Sequence, residues 1–508
     1  MNTTSIIFFG IIIFLWLFWL WRRRKYYYMA YSLPGPVGLP IIGSGLNFID
    51  TSKVLYYLMQ GTEKYGHLWT GFLGLKPCIL TSDPEVIEEI FTNELFVDKM
   101  DIYNVINDFL KEGLFTSKYD KWIVARKHIN KAFAHKILLD FFPIFNQKGR
   151  ELSDAFESLA GKGEIDIYGY IHKLQLDTAC ITTMGQETNF LRGSNPELLS
   201  SYEFLIEITS NRIFNPFLTN SFVFKYLYPK KKKFDHCMRV MQKNTLKFIE
   251  KKIEDIKRAQ EENTKENSSP EDDFNITKSK SIFIDIMVRE YLAGNFTWEE
   301  LQHEVNTMIA AAYETTTNVL YMALLHLAMY PQCQDKLYEE IISVTSEDDT
   351  FITYDDVQQL VYTELVMNET MRLISPVPLI GRNAIKDVRL KNNLLIPKDT
   401  NIVINLLSLH RRNDIWGPNA DRIFNPENFL KENLVNKHPY SFVPFTKGIR
   451  NCIGWRYAIF SFKIMLAIII KRFKVSTTFK YDDLVYKEQI ITKFKVNPKI
   501  SLTLRKNV

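Results

Sequence analysis

Phe445-Thr446-Lys447-Gly448-Ile449-Arg450-Asn451-Cys452-Ile453-Gly454 decides how the rest of this chain is read. Two glycines flank the cysteine at positions −4 and +2, and an arginine stands two residues before it. Glycine permits tight turns and close backbone approach, and a thiolate is stabilised by N–H donors and nearby positive charge. The apolar stretch Tyr457 to Ile470 has helical length, which places Cys452 just before a helix N-terminus, where a thiol pKa is expected to fall. A lone thiolate without Cys or His partners cannot make a zinc site, which takes several protein ligands. Haem iron takes one axial protein ligand, and a cysteine thiolate is one of its kinds.

Upstream, Glu369-Thr370-Met371-Arg372 sets an acid and an arginine at i, i+3 on one helix face, where they can pair in bidentate fashion. Ser375-Pro376-Val377-Pro378 follows it. Further upstream, apolar positions 305, 308, 309, 312, 316 and 320 keep the helical period from about Glu300 to Tyr330. This helix carries Ala311-Ala312-Tyr313-Glu314-Thr315-Thr316, with Ala311 and Thr315 on one face together with Met308 and Glu304. A threonine within a helix commonly bonds its own i−4 carbonyl, which is the structural alternative for Thr315. Trp122 and Arg126 are i, i+4 on a further expected helix.

Taken together these segments resemble the cytochrome P-450 superfamily. The cysteine stretch matches the haem-binding signature Phe-x-x-Gly-x-Arg-x-Cys-x-Gly at every fixed position, through Phe445, Gly448, Arg450, Cys452 and Gly454. The resemblance implies haem b with Cys452 as the axial iron ligand. It implies that Trp122, Arg126, Arg382 and Arg450 hold the haem propionates, and that Glu314 and Thr315 form the oxygen-activation pair. It gives Glu369 and Arg372 a structural role beneath the haem. Met308, Ala311, Val377, Leu379 and Ile380 are the candidate substrate contacts, with the segment from Lys99 to Leu114. The stretches Val377 to Arg382 and Pro426 to Phe429 look like the family-four branch that holds fatty-acid ω-hydroxylases and many insect enzymes. Three positions depart from the pattern. Asn428 stands where arginine is common, Ala311 where a haem-bonding glutamate often precedes the helix motif, and Ala312 where glycine is usual.

The fold implied is mainly α with small β-sheets (α+β), the cytochrome P-450 fold, preceded by one N-terminal transmembrane helix. Residues Ile6 to Trp21 carry no charge, and Thr3 to Ser5 extend the run to 19 residues, just enough for one tilted span. Arg22-Arg23-Arg24-Lys25 follows the run, unlike the charge order of a cleaved signal peptide. The positive-inside rule then leaves the body in the cytoplasm. The expected organisation is an anchor and basic stop at 1–25, a proline-rich hinge at 26–40, and a catalytic domain at 41–508. Strand-like stretches run from Leu68 to Leu73 and from Cys78 to Thr81, with a helix starting after Asp83-Pro84, and Gln260 to Ser281 reads as a polar surface loop.

Composition narrows the class without choosing within it. Of 508 residues, 46% are hydrophobic and 24% charged, which fits neither a polytopic membrane protein nor a disordered chain. A net charge of +5 is too dilute for a nucleic-acid binder. Five widely spaced cysteines point to a reducing compartment. The aromatic share of 14% promises a large core around a bulky apolar group.

The expected activity is that of a haem-thiolate monooxygenase at the endoplasmic reticulum membrane. It would act on a lipophilic small molecule such as a fatty acid, hormone or xenobiotic. No nucleotide-binding glycine fingerprint occurs in a strand-turn-helix setting, so electrons would come from NADPH through a partner, NADPH-cytochrome P-450 reductase, with cytochrome b5 as a second donor. Lys121, Lys127, Lys131 and Lys447 are candidates for its docking face. A reductase-independent isomerase or dehydratase, or a non-catalytic haem protein that binds or senses a ligand, are the alternative readings.

Overall fold

The computed structural model describes residues 3–36, 38, 43–45, 50, 53–74, 76–265, 281–345, 351–487 and 489–505. Most of the polar stretch expected at Gln260 to Ser281 lies outside the described residues, as do parts of the proline-rich 26–40 segment. The first residues of that stretch close the helix Lys231–Lys265.

The apolar N-terminus is helical from Thr3 to Arg22, then bends by 60° into a second helix, Arg24–Tyr31. Among the described residues no single helix is long and apolar enough to cross a membrane, whereas this bent pair passes on length and composition. The basic cluster sits at the bend. Arg23 lies over the Trp19 ring and Arg24 over the Trp21 ring, while Lys25 pairs with Asp387 and the Tyr26 hydroxyl donates to the Lys398 carbonyl at 2.6 Å. Met29 and Ala30 are buried against the body, but the side chains from Ile11 to Phe18 stay about half exposed. The second helix is therefore docked, and the first stands out from the body.

The strands expected near residue 70 form a hairpin, Leu68–Leu73 with Lys76–Thr81, in the register Leu68↔Thr81 to Leu73↔Lys76. The second strand then pairs in parallel with Asn401–Asn405, which pairs antiparallel with Leu379–Asn383. Asp83 caps the next helix, Pro84–Thr92, by accepting from the Glu85 and Val86 amides.

The long helix Trp298–Met329 organises the interior. Its start is fixed by a capping box, in which Thr297 Oγ1 accepts from Glu300 N at 3.2 Å and Glu300 Oε2 from Thr297 N at 2.9 Å. The first half, with Leu301, Val305, Ile309 and Tyr313, belongs to one core cluster. The second half, Val319 to Ala328, belongs to another, shared with the helix Trp455–Arg472. A helix apolar on nearly all sides is a core helix by necessity.

Beneath it, the helix Val361–Leu373 carries the expected Glu369–Arg372 pair, fully buried and bidentate at 2.7 and 2.8 Å. Arg372 also donates to the carbonyls of His410, Ala420 and Ile423, and Glu369 accepts from Asn425 N and Asn428 Nδ2. Asn428 thus completes the pair through a neutral amide where an arginine was the common pattern. With so many satisfied partners, breaking the pair is far costlier than its net contribution. Arg372→Met should cost about 3–5 kcal/mol, read as a lowered urea midpoint and loss of soluble folded protein.

Candidate functional site

The cysteine stretch forms a loop that is locked before the following helix begins. Thr446 N donates to Val443 O at 3.0 Å, Cys452 N to Phe445 O at 2.9 Å, and Asn451 N to Gly448 O at 3.2 Å. Gly448 has φ +76°, and a Cβ there would stand 1.9 Å from the Phe91 carbonyl oxygen, so only glycine fits. Gly454 differs: an added Cβ would meet Phe133 at 3.6 Å, an ordinary contact, so the protein itself does not demand glycine there.

All five cysteines are free. Cys78, Cys180, Cys237 and Cys333 are buried, and Cys452 is the accessible one. Its access is internal, because protein surrounds it closely enough for burial to push the thiol pKa up, against the Gly454 amide and the Arg126 guanidinium. The lowering expected from the helix N-terminus is thus outweighed in the protein alone, since desolvation disfavours the charged thiolate.

The arginines converge as expected, and a lysine joins them. Trp122 and Arg126 lie on the helix Tyr119–Ile129. Arg126 donates to the backbone carbonyl and to the side-chain oxygen of Asn451, both at 2.9 Å, which ties that helix to the cysteine loop. Arg450 stacks over the Trp122 ring at 4.6 Å and gives one nitrogen to Ser117 O, leaving Nε and Nη1 buried without partners. Arg382 is buried with its Gly381 carbonyl as hydrogen-bond acceptor. Lys99 lies over the Tyr103 and Phe115 rings. Burial and the charges of Arg382 and Arg450 hold its ammonium well below the usual lysine range. Burial together with Arg382 brings Arg450 down to about 10.

Three cationic side chains crowd together here, with the Asp98 carboxylate acting on Arg450 and two Arg450 nitrogens orphaned, which makes a site suited to a dianion. This donor set would fit the two propionates of a haem, with Cys452 as the candidate thiol for its iron. The sequence places Lys99 in the segment of candidate substrate contacts, and no local pattern marks it as a cation of this cluster. It is placed by its neighbour, Asp98, whose carbonyl accepts from Asn383 N and whose carboxylate accepts from Tyr119 N.

On the long helix, Ala311 is exposed and Ala312 and Thr315 are half-buried, so this turn opens a gap in an otherwise buried element. Thr315 Oγ1 donates to the Ala311 carbonyl at 3.0 Å, the arrangement common for threonine in helices. Glu314 lies elsewhere. It is buried, 3.2 Å from His172 Nε2 and 3.2 Å from Lys493 Nζ, and His172 Nδ1 is 3.3 Å from the partly exposed Glu203. Burial alone would raise the Glu314 pKa, but Lys493 and His172 bring it down to about 2. Glu304, nearly three turns earlier, accepts from Leu114 N at 2.9 Å and burial lifts its pKa to about 8.

Val377, Leu379 and Ile380 line a cavity of about 410 Å³ beside the four-stranded sheet, with Trp69, Tyr103 and Phe115. Met308 is buried in the core, and neither it nor Ala311 lines this cavity.

Comparison with known proteins identifies the family. The family model described as Cytochrome P450 matches residues 33–500. The chain belongs to the cytochrome P450 family. It is 36% identical over 501 residues to "Probable cytochrome P450 313a4" of Drosophila melanogaster, covering 98% of each chain. It is 30% identical over 498 residues to "Cytochrome P450 4c21" of Blattella germanica, covering 97% of this chain and 96% of that one. As a cytochrome P450 the chain is, in general terms, a haem-thiolate monooxygenase.

Two outcomes follow. Gly448→Ala should cost about 1–3 kcal/mol through a left-handed, clashing backbone, seen as a faster loss of folded protein on heating, while Gly454→Ala should leave that rate close to wild type. A carboxyl whose folded pKa lies below the ordinary 4.5 contributes stability above that pH and loses it as pH falls towards 2. Urea unfolding across that window should show a steeper decline for wild type than for Glu314→Gln.

Proposed function

We propose that this cytochrome P450 inserts one atom of dioxygen into a lipophilic small molecule, at the endoplasmic reticulum membrane, with electrons from an NADPH-dependent reductase. The observation that carries the proposal is the pairing of an accessible internal thiol, Cys452, with the cation cluster of Lys99, Arg382 and Arg450, in which two Arg450 nitrogens are buried without partners. When bound, thiolate-ligated haem supplies dioxygen activation, and the protein positions and protects that chemistry.

Each protein group has its own task. Cys452 gives up its proton to become a metal ligand, a step that Arg126 and the Gly454 amide favour against burial. Arg382, Arg450 and Lys99 neutralise the propionates, and Trp122 holds Arg450 flat beneath its guanidinium. The Thr315 hydroxyl, parked on the Ala311 carbonyl, is the proton-bearing group on the open turn of the long helix. Glu314 is held as a carboxylate by Lys493 and His172, one residue from that turn. It would accept and pass on protons by leaving those partners.

Support for a membrane setting comes from the apolar helix Thr3–Arg22, whose side chains stand exposed beside a docked second helix. Support for an electron-donating partner comes from the helix Tyr119–Ile129. It leaves Ile123 and Val124 exposed beside Lys127, on the same element that grips the cysteine loop through Arg126. Lys121 and Lys131 are already paired with Glu112 and Glu290, and Lys447 donates to Pro439 O.

The test is oxygen consumption by the purified full chain with reductase and NADPH, coupled to formation of an oxygenated product from a lipophile. Turnover that proceeds in full without reductase and oxygen would instead support the isomerase or dehydratase reading. Cys452→Ala should abolish both product formation and the thiolate-type absorption of the reduced carbon monoxide complex; retention of that absorption would refute Cys452 as ligand.

A further inference from the structure

The cavity beside the four-stranded sheet has largely apolar walls with a few uncharged polar side chains. Trp69, Phe72, Ile106, Phe115 and Ile380 are among its apolar residues, and among the described residues no charged side chain lines it. Gln489 does line it. That residue is 5% exposed, its Oε1 is buried without a partner, and its amide makes no hydrogen bond to any described residue. Ser44, on the same wall, has a buried and equally partnerless Oγ.

The position of Gln489 is not loose. The next amide, Ile490 N, donates to Ser210 Oγ at 3.1 Å, and Thr492 binds the carbonyls of Pro376 and Ser375 through its amide and hydroxyl. The segment is therefore pinned on both sides of the cavity wall. A buried amide oxygen without a donor is costly, because the acceptor has left water and found no replacement. A ligand that answers it would recover that cost.

We infer that this cavity selects a neutral, largely apolar molecule bearing a hydroxyl group, which donates to Gln489 Oε1 and accepts from Gln489 Nε2. A hydroxyl can do both, as one donor and two acceptor sites on a single atom. A pure hydrocarbon leaves the amide unsatisfied. A carboxylate could accept but not donate, and would bring a charge into a cavity that no cation lines among the described residues. The selection is therefore for alcohols over both alkanes and fatty-acid anions. It deepens the proposed monooxygenase function and rests on it in one respect only, that this cavity receives the substrate.

The test is calorimetric binding of decanol, decane and decanoate to the haem-loaded full chain, and to Gln489→Met and Gln489→Leu. Decanol should bind the wild-type chain about ten- to a hundred-fold more tightly than either comparator, the range expected when a site built for a hydroxyl meets an analogue without one. Both variants should bind decane at least as well as wild type and lose the advantage of the alcohol. Equal binding of decanoate and decanol by wild type overturns the inference, as does an alcohol preference that survives in both variants. The thiolate-type carbon monoxide spectrum, recorded on the same samples, separates the two questions. Its absence in wild type would defeat the haem-thiolate function, while the ranking of the three ligands judges the cavity alone. Its presence in the variants shows that they are folded.

Discussion

The buried Glu369–Arg372 pair is the constraint from which the site hangs. Arg372 reaches the His410 carbonyl, and the His410 ring accepts from Val443 N through Nε2. Val443 O in turn accepts from Thr446, inside the cysteine loop, whose Phe445 carbonyl holds the Cys452 amide. Burial and the Arg372 charge push the His410 pKa down to about 3, so the ring stays neutral and its nitrogen remains an acceptor. The chain of contacts from a helix near residue 370 to the thiol at 452 is thus made of directional bonds, those through His410 buried. In such a setting partners strengthen one another, and the loss of one leaves the others exposed to the full cost of desolvation.

The second constraint is electrostatic. Lys99, Arg382 and Arg450 come from three separate segments and are brought together with their mutual repulsion only partly offset, by Asp98 acting on Arg450. Side-chain packing holds them there: Trp122 under Arg450, Tyr103 and Phe115 under Lys99, Phe91 under Arg382. The protein is arranged around a charge that another molecule must bring, and that arrangement is stored strain until it does.

How much of this could be read in advance depended on whether a residue's role is local. The cysteine loop, the acid–arginine pair and the tryptophan–arginine pair are each defined over a few residues, so short motifs read through the family resemblance pointed to them. The hairpin at Leu68 to Thr81 and the long helix were legible for the same reason, from alternation, periodicity and caps. Lys99 was legible only as part of a segment, because its meaning comes from residues nearly 300 and 350 positions away. Glu314 was legible as an acid beside a threonine, but its partners His172 and Lys493 arrive from opposite ends of the chain. The bend after Arg22 was hidden as well. It is set by contacts of Lys25 and Tyr26 with Asp387 and Lys398, which no hydropathy pattern contains.

The parallel pairing of Lys76–Thr81 with Asn401–Asn405 joins residues such as Cys78 and Asn401, which are separated by most of the chain. During synthesis at about 5–20 residues per second, the early hairpin waits tens of seconds for its third strand to emerge. Through that interval one edge of an apolar strand has no partner, a condition that invites wrong pairing. The cavity wall is therefore among the last parts of the molecule to close, and ligand contacts made there stabilise the end of folding rather than its beginning. A cell that makes this protein must shield a half-built sheet, and the speed of translation becomes a determinant of how much of it arrives intact.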